Sequence, residues 1–256
     1  MMIPHERLVD IFKALSDPNR LRLFECLLES DQTNTELMNE VGLSQNLLSH
    51  HLSVLVDVGL ISVRQSIGDA RRRYYIPNME VPHLLSLWWW QQGLAVDRPC
   101  PPLRHPKTVL FLCRKNAARS LIAEAMTRAI APQTLIPYSA GIDAGTMPAQ
   151  VLEGLARCGI SGDGLYTKQY PELPTMTFDY LITVCDRVHE PGLPPELSYR
   201  RCLHWSMVDP EEANSSEEDF TAAMDALCDE IRHRLMLFAQ RVAAQDAADA
   251  ADADVS

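Results

Sequence analysis

The sequence predicts two domains in one chain: a mainly α domain built on a helix–turn–helix with a β-hairpin wing, then an α/β domain whose parallel sheet is flanked by helices. Three observations predict this. Two short helical segments meet at Val41-Gly42-Leu43 and are followed by alternating runs around Ser66-Ile67-Gly68-Asp69. A Pro-rich stretch without periodicity, Arg98 to Pro106, then breaks the pattern. Beyond it, short apolar runs alternate with helical segments, starting with Val109-Leu110-Phe111-Leu112.

Composition narrows the class. With 256 residues, 46% hydrophobic and 22% charged, each half can bury its own core. No apolar run approaches about 18 residues, and the N-terminus lacks a signal-peptide core, so a cytoplasmic protein without membrane partners is expected. Seven cysteines without close repeated spacing do not suggest a secreted disulfide framework. The net charge of −11 argues against a generic nucleic-acid binder, so DNA affinity must come from a local basic patch.

In chain order, Glu6 to Leu15 reads as an amphipathic helix through Leu8, Ile11, Phe12 and Leu15. Ser16-Asp17-Pro18 supplies a cap and a first-turn proline for a helix through Leu28. Thr33 or Asn34 caps a short helix ending near Gly42, and Ser44 opens another to about Val58. Leu60 to Val63 and Arg73 to Ile76 form the hairpin. His50 and His51 point about 100° apart on a helix, so they do not chelate one metal ion, and no metal site is expected.

The stretches ALSDPNRLRLFECL, LSQNLLSHHLSVLVDVGLI and the wing ending RRRYYI together resemble the ArsR/SmtB winged-helix repressors across residues 5–95. The resemblance implies operator DNA as partner, with the groove helix starting at Ser44-Gln45. It implies base and phosphate contacts from Gln45, Asn46, Ser49 and His50, and phosphate or minor-groove contacts from Arg71, Arg72 and Arg73. The helix Leu84 to Leu94, carrying Trp88-Trp89-Trp90, is then a homodimer interface on a palindromic operator. Arsenite-sensing members carry Cys-Val-Cys before the groove helix, where this chain has Thr33 and Thr35. Hydroxyls are poor ligands for a thiophilic ion. The domain therefore senses through other residues, Cys26 and Cys100 among them, or takes its signal from the second domain. A zinc site on the last helix is poorly supplied, with only His83.

In the second half, Cys113-Arg114-Lys115-Asn116-Ala117-Ala118-Arg119-Ser120 links a strand end to a helix running to Ile130. Such a turn aims its amides, with the helix dipole, at one spot. That makes a cradle for a tetrahedral oxyanion, with Cys113 at its base and Arg119 able to fork two oxygens. These surroundings favour the thiolate, the nucleophilic form. Further on, Leu135–Ser139 and Tyr180–Val184 read as strands, Pro148 to Cys158 and Phe220 to Val242 as helices.

VLFLCRKNAARS resembles the phosphate loop of low-molecular-weight protein tyrosine phosphatases and the arsenate reductases sharing their fold. Asn116 then falls on the loop-shaping Asn and Ser120 on the hydroxyl that hydrogen-bonds the thiolate, while Lys115 replaces a Gly. HWSMVDP resembles the family's Asp-Pro loop, which makes Asp209 the general acid. Cys185, ending the strand LITVC, matches the second thiol of thioredoxin-coupled arsenate reductases. A relay cysteine expected seven residues on is replaced by Gly192. Either Cys202 substitutes from a rearranged loop or an external thiol (thioredoxin, glutaredoxin with glutathione, or mycothiol) completes the reduction.

The expected division is 1–96 for DNA binding and dimerisation, 97–106 for the linker, 107–243 for the phosphatase-like domain and 244–256 for a disordered Ala/Asp-rich tail. The resemblances imply an arsenic-responsive repressor fused to an arsenate reductase, with no bound cofactor. The alternatives are a regulator whose second domain only senses an oxyanion, and a repressor tethered to a phosphatase of aryl phosphates.

Overall fold

The computed structural model describes residues 4–91, 102–143, 145–210 and 217–255. Contacts divide the chain into two units, Met1–Asp97 and Arg98–Ser256. Among the described residues, no helix is long and apolar enough to cross a membrane.

The first unit opens with α1 (His5–Leu15) and α2 (Pro18–Glu29). Asp17 caps α2, its carboxylate accepting the amides of Asn19 at 2.9 Å and Arg20 at 3.1 Å, with Pro18 in the first turn. A two-residue strand β1 (Gln32–Thr33), invisible to periodicity, leads into α3 (Asn34–Val41). Thr33 is the cap: its hydroxyl accepts the Glu36 amide while the Glu36 carboxylate accepts the Thr33 amide. Gly42, at φ 72°, ends α3 in the left-handed region that a side chain would strain.

The turn leads into α4 (Gln45–Asp57), followed by β2 (Ile61–Gln65) and β3 (Arg73–Pro77), paired antiparallel as the wing, and α5 (Glu80–Gln91). Ile11, Leu23, Leu27, Leu37, Leu48 and Leu55 fill the core without exposure. Trp88 packs edge-on against the half-exposed Phe12 at 5.9 Å. The side chains of Trp89 and Trp90 lie outside the described residues, as does residue 92 onward of the expected dimer helix.

The first part of the Pro-rich stretch, through Pro101, also lies outside the described residues. Leu103 already packs against the second unit's core and its amide donates to the Gln133 carbonyl.

The second unit contains β4 (Lys107–Cys113), α6 (Arg119–Ile130), β5 (Leu135–Gly141), α7 (Ala149–Arg157), β6 (Thr177–Thr183), the single-turn α8 (Asp186–His189), β7 (Ser198–His204) and α9 (Glu217–Val255). The four strands are parallel in the order β5-β4-β6-β7. The chain leaves β4 to one side for β5 and returns to its other side for β6. That reversal opens a crevice at the carboxyl ends of β4 and β6, where α/β sheets bind ligands.

Two expectations are corrected here. Where a disordered tail was expected from residue 244, α9 continues to Val255, and Asp246 pairs with Lys107 at 2.8 Å. The Ala-rich composition that read as low complexity is also the best helix-forming one. Cys202 sits in no loop either. It lies in β7 opposite Leu181, hydrogen-bonded in register.

Candidate functional sites

In the first unit, α4 separates its faces cleanly. Leu48, His51, Leu52 and Leu55 are buried, while Gln45, Asn46, Ser49, His50 and Ser53 are exposed. The residues expected to read bases therefore share the solvent face at helical spacing. Ser44 is the cap residue, yet its side chain makes no capping hydrogen bond. Leu47, 41% exposed on the same helix, adds an apolar group that the sequence reading passed over.

His51 faces inward, its Nδ1 3.9 Å from Asp17, and His50 faces out. On the wing, Arg71 is forked onto Asp69 by two contacts of 3.0 Å. The Asp69 carboxylate also accepts the Arg71 amide, so the pair stiffens the turn. Arg72 and Arg73 are exposed beside it.

In the second unit, Cys113 ends β4 and the loop of residues 114–118 wraps its sulfur. The Asn116 amide donates to Cys113 Sγ at 3.2 Å, and Ser120 Oγ lies 2.9 Å from the same sulfur. Asn116, fully buried at φ 50°, is what bends the loop, since Asn tolerates the left-handed region. Its Nδ2 donates to Ser120 Oγ and Ser139 Oγ, each at 2.9 Å. Ser120 then keeps its proton for the Cys113 sulfur.

Behind this lies a cluster the sequence did not reveal. Ser139 donates to the buried Glu124 carboxylate, which also meets Arg128. Lys168 Nζ reaches Glu124 Oε2 at 3.0 Å and Ser139 Oγ at 3.3 Å, while the Lys168 amide donates to Asn116 Oδ1 at 2.9 Å. A directed chain of hydrogen bonds thus runs from the buried ion pair through Asn116 to the thiol. Polar residues at buried positions of α6 and β5 were the available signal.

The loop also needs two glycines. A Cβ on Gly141 would stand 2.7 Å from the Lys115 carbonyl carbon, and one on Gly145 would stand 2.2 Å from the Lys115 oxygen. Lys115 thus fits the loop because its neighbours give way to its backbone. Arg114 and Lys115 are exposed, with Arg114 paired to Asp143 at 3.0 Å, while Ala117 is half-buried and Ala118 buried at the start of α6.

Arg119 is buried at the loop's end. Its guanidinium donates to the Met207 carbonyl at 3.1 Å and to Asp209 Oδ2 at 2.5 Å. The structure thereby brings Asp209 to the same pocket. Cys185 lies two residues beyond the end of β6, as the N-cap of α8, and just before it the Val184 amide donates to the Leu112 carbonyl at 2.9 Å. Leu112 pairs with Thr183, so Cys113 at the end of β4 and Cys185 just past β6 lie at the same carboxyl edge of two neighbouring strands. Burial raises the Cys185 thiol above its ordinary range, Arg119 opposes that rise, and the Cys113 charge adds to it.

Cys202 lies four residues short of that level along the neighbouring strand, about 13 Å at about 3.3 Å per residue. Burial pushes its thiol up to about 11. Of the two alternatives, Cys202 or an external thiol, this separation favours the external thiol.

Beside Cys185, Asp186 accepts Ser206 Oγ at 2.5 Å and lies 3.1 Å from His204 Nε2. His204 in turn reaches Thr183 Oγ1 at 2.8 Å and stacks on His189 at 4.1 Å. This node ties the turn carrying Cys185 to the end of β7.

Residues 108–248 match the family described as low molecular weight phosphotyrosine protein phosphatase, and residues 17–63 match the bacterial regulatory protein, arsR family. The first unit is 42% identical over 67 residues to a probable mercury resistance operon repressor of Streptomyces lividans, covering 23% of this chain and 54% of that protein. The chain thus spans about half the length of that relative. An arsenate reductase of Bacillus licheniformis is 29% identical over 136 residues, covering 52% of this chain and 96% of the relative. A solved structure, an arsenate reductase in the phosphate binding state, is 21% identical with a TM-score of 0.42, covering 50% of this chain and 96% of that one. With an arsR-type regulatory domain ahead of an arsenate reductase-like domain, the chain belongs to the low molecular weight phosphotyrosine protein phosphatase family.

Proposed function

We propose that this chain is a DNA-binding repressor fused to a thiol-dependent arsenate reductase. The observation that carries the reading is the presence of Cys113, seated in a loop of donors, together with a second thiol, Cys185, just past the end of the adjacent strand. A phosphate ester needs one nucleophile, whereas reduction of arsenate needs two electrons, and two thiols supply them on becoming a disulfide.

In this mechanism Arg119 and the amides of residues 114–118 hold the oxyanion. The Cys113 sulfur attacks arsenic, and Asp209 protonates the departing oxygen, which leaves as water. Ser120 stabilises the Cys113 thiolate before attack. Cys185 then attacks the Cys113 sulfur: the S–S bond forms, the S–As bond breaks, and its electron pair stays on arsenic as arsenite. An external dithiol, thioredoxin or a glutaredoxin system, reduces the disulfide. The N-terminal unit binds operator DNA as a homodimer through Gln45, Asn46, Ser49 and His50, with Ser44, Arg72 and Arg73 on phosphates.

The test couples arsenate to NADPH oxidation through thioredoxin and thioredoxin reductase, in parallel with p-nitrophenyl phosphate hydrolysis. Arsenate-dependent NADPH oxidation supports the reading. Ester hydrolysis without it assigns the chain to a phosphatase, and neither activity leaves the oxyanion-sensing regulator.

A further inference from the structure

Two thiols that the proposed chemistry does not use lie at the end of α7 and in α9, helices of the second unit that pack on each other. Cys158 follows the last turn of α7, and Cys228 lies in α9; both are free thiols. The two helices meet in matched order. Gly154 is so close to α9 that a Cβ there would stand 2.7 Å from Met224 Cγ. Arg157 pairs with Asp225 at 2.7 Å, and Arg232 Nη2 donates to the Cys158 carbonyl at 3.1 Å. One helical turn beyond the Gly154–Met224 contact, on both helices, stand Cys158 and Cys228. Cys228 belongs to the core cluster and Cys158 packs against that same cluster, with each thiol in the other's surroundings.

We propose that Cys158 and Cys228 form a reversible disulfide under peroxide, a modification site that fastens α7 to α9. The two sulfurs are not equivalent. Cys158 is partly exposed, and Cys228 is buried in the core. Burial, with Cys158 beside it, pushes the Cys228 thiol up to about 12. Peroxide therefore meets Cys158 first. The Cys158 sulfur attacks one peroxide oxygen, the O–O bond breaks, and the products are a Cys158 sulfenic acid and water. Cys228 then attacks the Cys158 sulfur. The S–O bond breaks, the S–S bond forms, and the hydroxyl leaves as a second water with the Cys228 proton. Two thiols are oxidised by two electrons as one peroxide is reduced, and a dithiol reverses the change. The consequence reaches the phosphate loop's frame, because α9 packs on α6. None of this depends on the chemistry proposed at Cys113.

The experiment treats the full-length reduced protein with hydrogen peroxide, alkylates remaining thiols and maps cysteines by fragmentation mass spectrometry. The expected result is a Cys158–Cys228 cross-link two hydrogens lighter than the reduced peptides, absent after dithiothreitol. The oxidised wild type should also unfold at a higher temperature than the reduced form, a shift missing in Cys158→Ser. Recovery of Cys158 as sulfinic or sulfonic acid, its pairing with another cysteine, or free thiols at both positions once Cys202 is oxidised would each overturn the proposal.

Discussion

Lys168 Nζ lies 3.0 Å from Glu124 Oε2, both side chains under a tenth exposed, beneath the loop that wraps Cys113. The pair holds Ser139 and, through Asn116, the hydroxyl of Ser120. Removing one partner of a buried pair costs about 3–5 kcal/mol because the other charge stays behind. Arg128 still reaches Glu124, which places Lys168→Met near about 3 kcal/mol. Urea denaturation should show this loss, with partial recovery in Lys168→Met/Glu124→Gln. Unchanged stability in the single variant would remove the pair from the account.

Ser120→Ala tests the far end of the same chain of hydrogen bonds. A hydrogen bond to a charged group is worth about 1.5–3 kcal/mol, so turnover should fall roughly 10–100-fold. The circular dichroism spectrum should stay unchanged. A rate within twofold of wild type would mean that Ser120 does not hold the thiolate.

The burial of His204 sets the sign of a pH dependence in the fold. Burial lowers its pKa from 6.5 to about 4, against the opposing pull of Asp186. The unfolded chain therefore binds the extra proton between those values, and stability rises with pH there. Its contribution is complete above about 6.5 and lost as pH falls through about 4, amounting to about 3 kcal/mol. Unfolding free energies at pH 7 and pH 4.5 should differ less in His204→Gln than in wild type. Equal differences would place the titration elsewhere.

On DNA, Gln45→Ala and Asn46→Ala should each weaken operator binding by about 1–3 kcal/mol and relax preference at one base pair. Arg72→Ala should lower affinity for all sequences and reduce the salt slope by about 1. Because Arg71 is already forked on Asp69, Arg71→Ala should cost less than Arg72→Ala. Fluorescence anisotropy across a salt series reads all of these, and a larger loss at Arg71 would refute the ranking.

What could be read in advance was local in sequence. Cys113, Asn116, Arg119 and Ser120 lie within eight residues, so their spacing exposed a strand–loop–helix cradle before any fold was known. Ser16-Asp17-Pro18 marked its cap in the same way, whereas Thr33 and Asn34 stood as equal candidates until the Glu36 carboxylate was found closing on Thr33. Glu124, Ser139 and Lys168 were illegible because they meet only when α6, β5 and the segment before β6 assemble. Gly141 and Gly145 matter for a clash with Lys115 that no local pattern encodes. The end of α9 was misread because Ala and Asp repeats fit a solvated tail and a helix alike, and the Lys107–Asp246 contact is long-range.

The central claim is that Cys113 and Cys185 act on one oxyanion. Fully reduced protein, freed of small thiols, is mixed with excess arsenate, and arsenite is quantified after a single turnover. The account predicts about one arsenite per chain together with a Cys113–Cys185 disulfide, and no arsenite from Cys185→Ser. Stoichiometric arsenite from Cys185→Ser, or none from wild type, would contradict it.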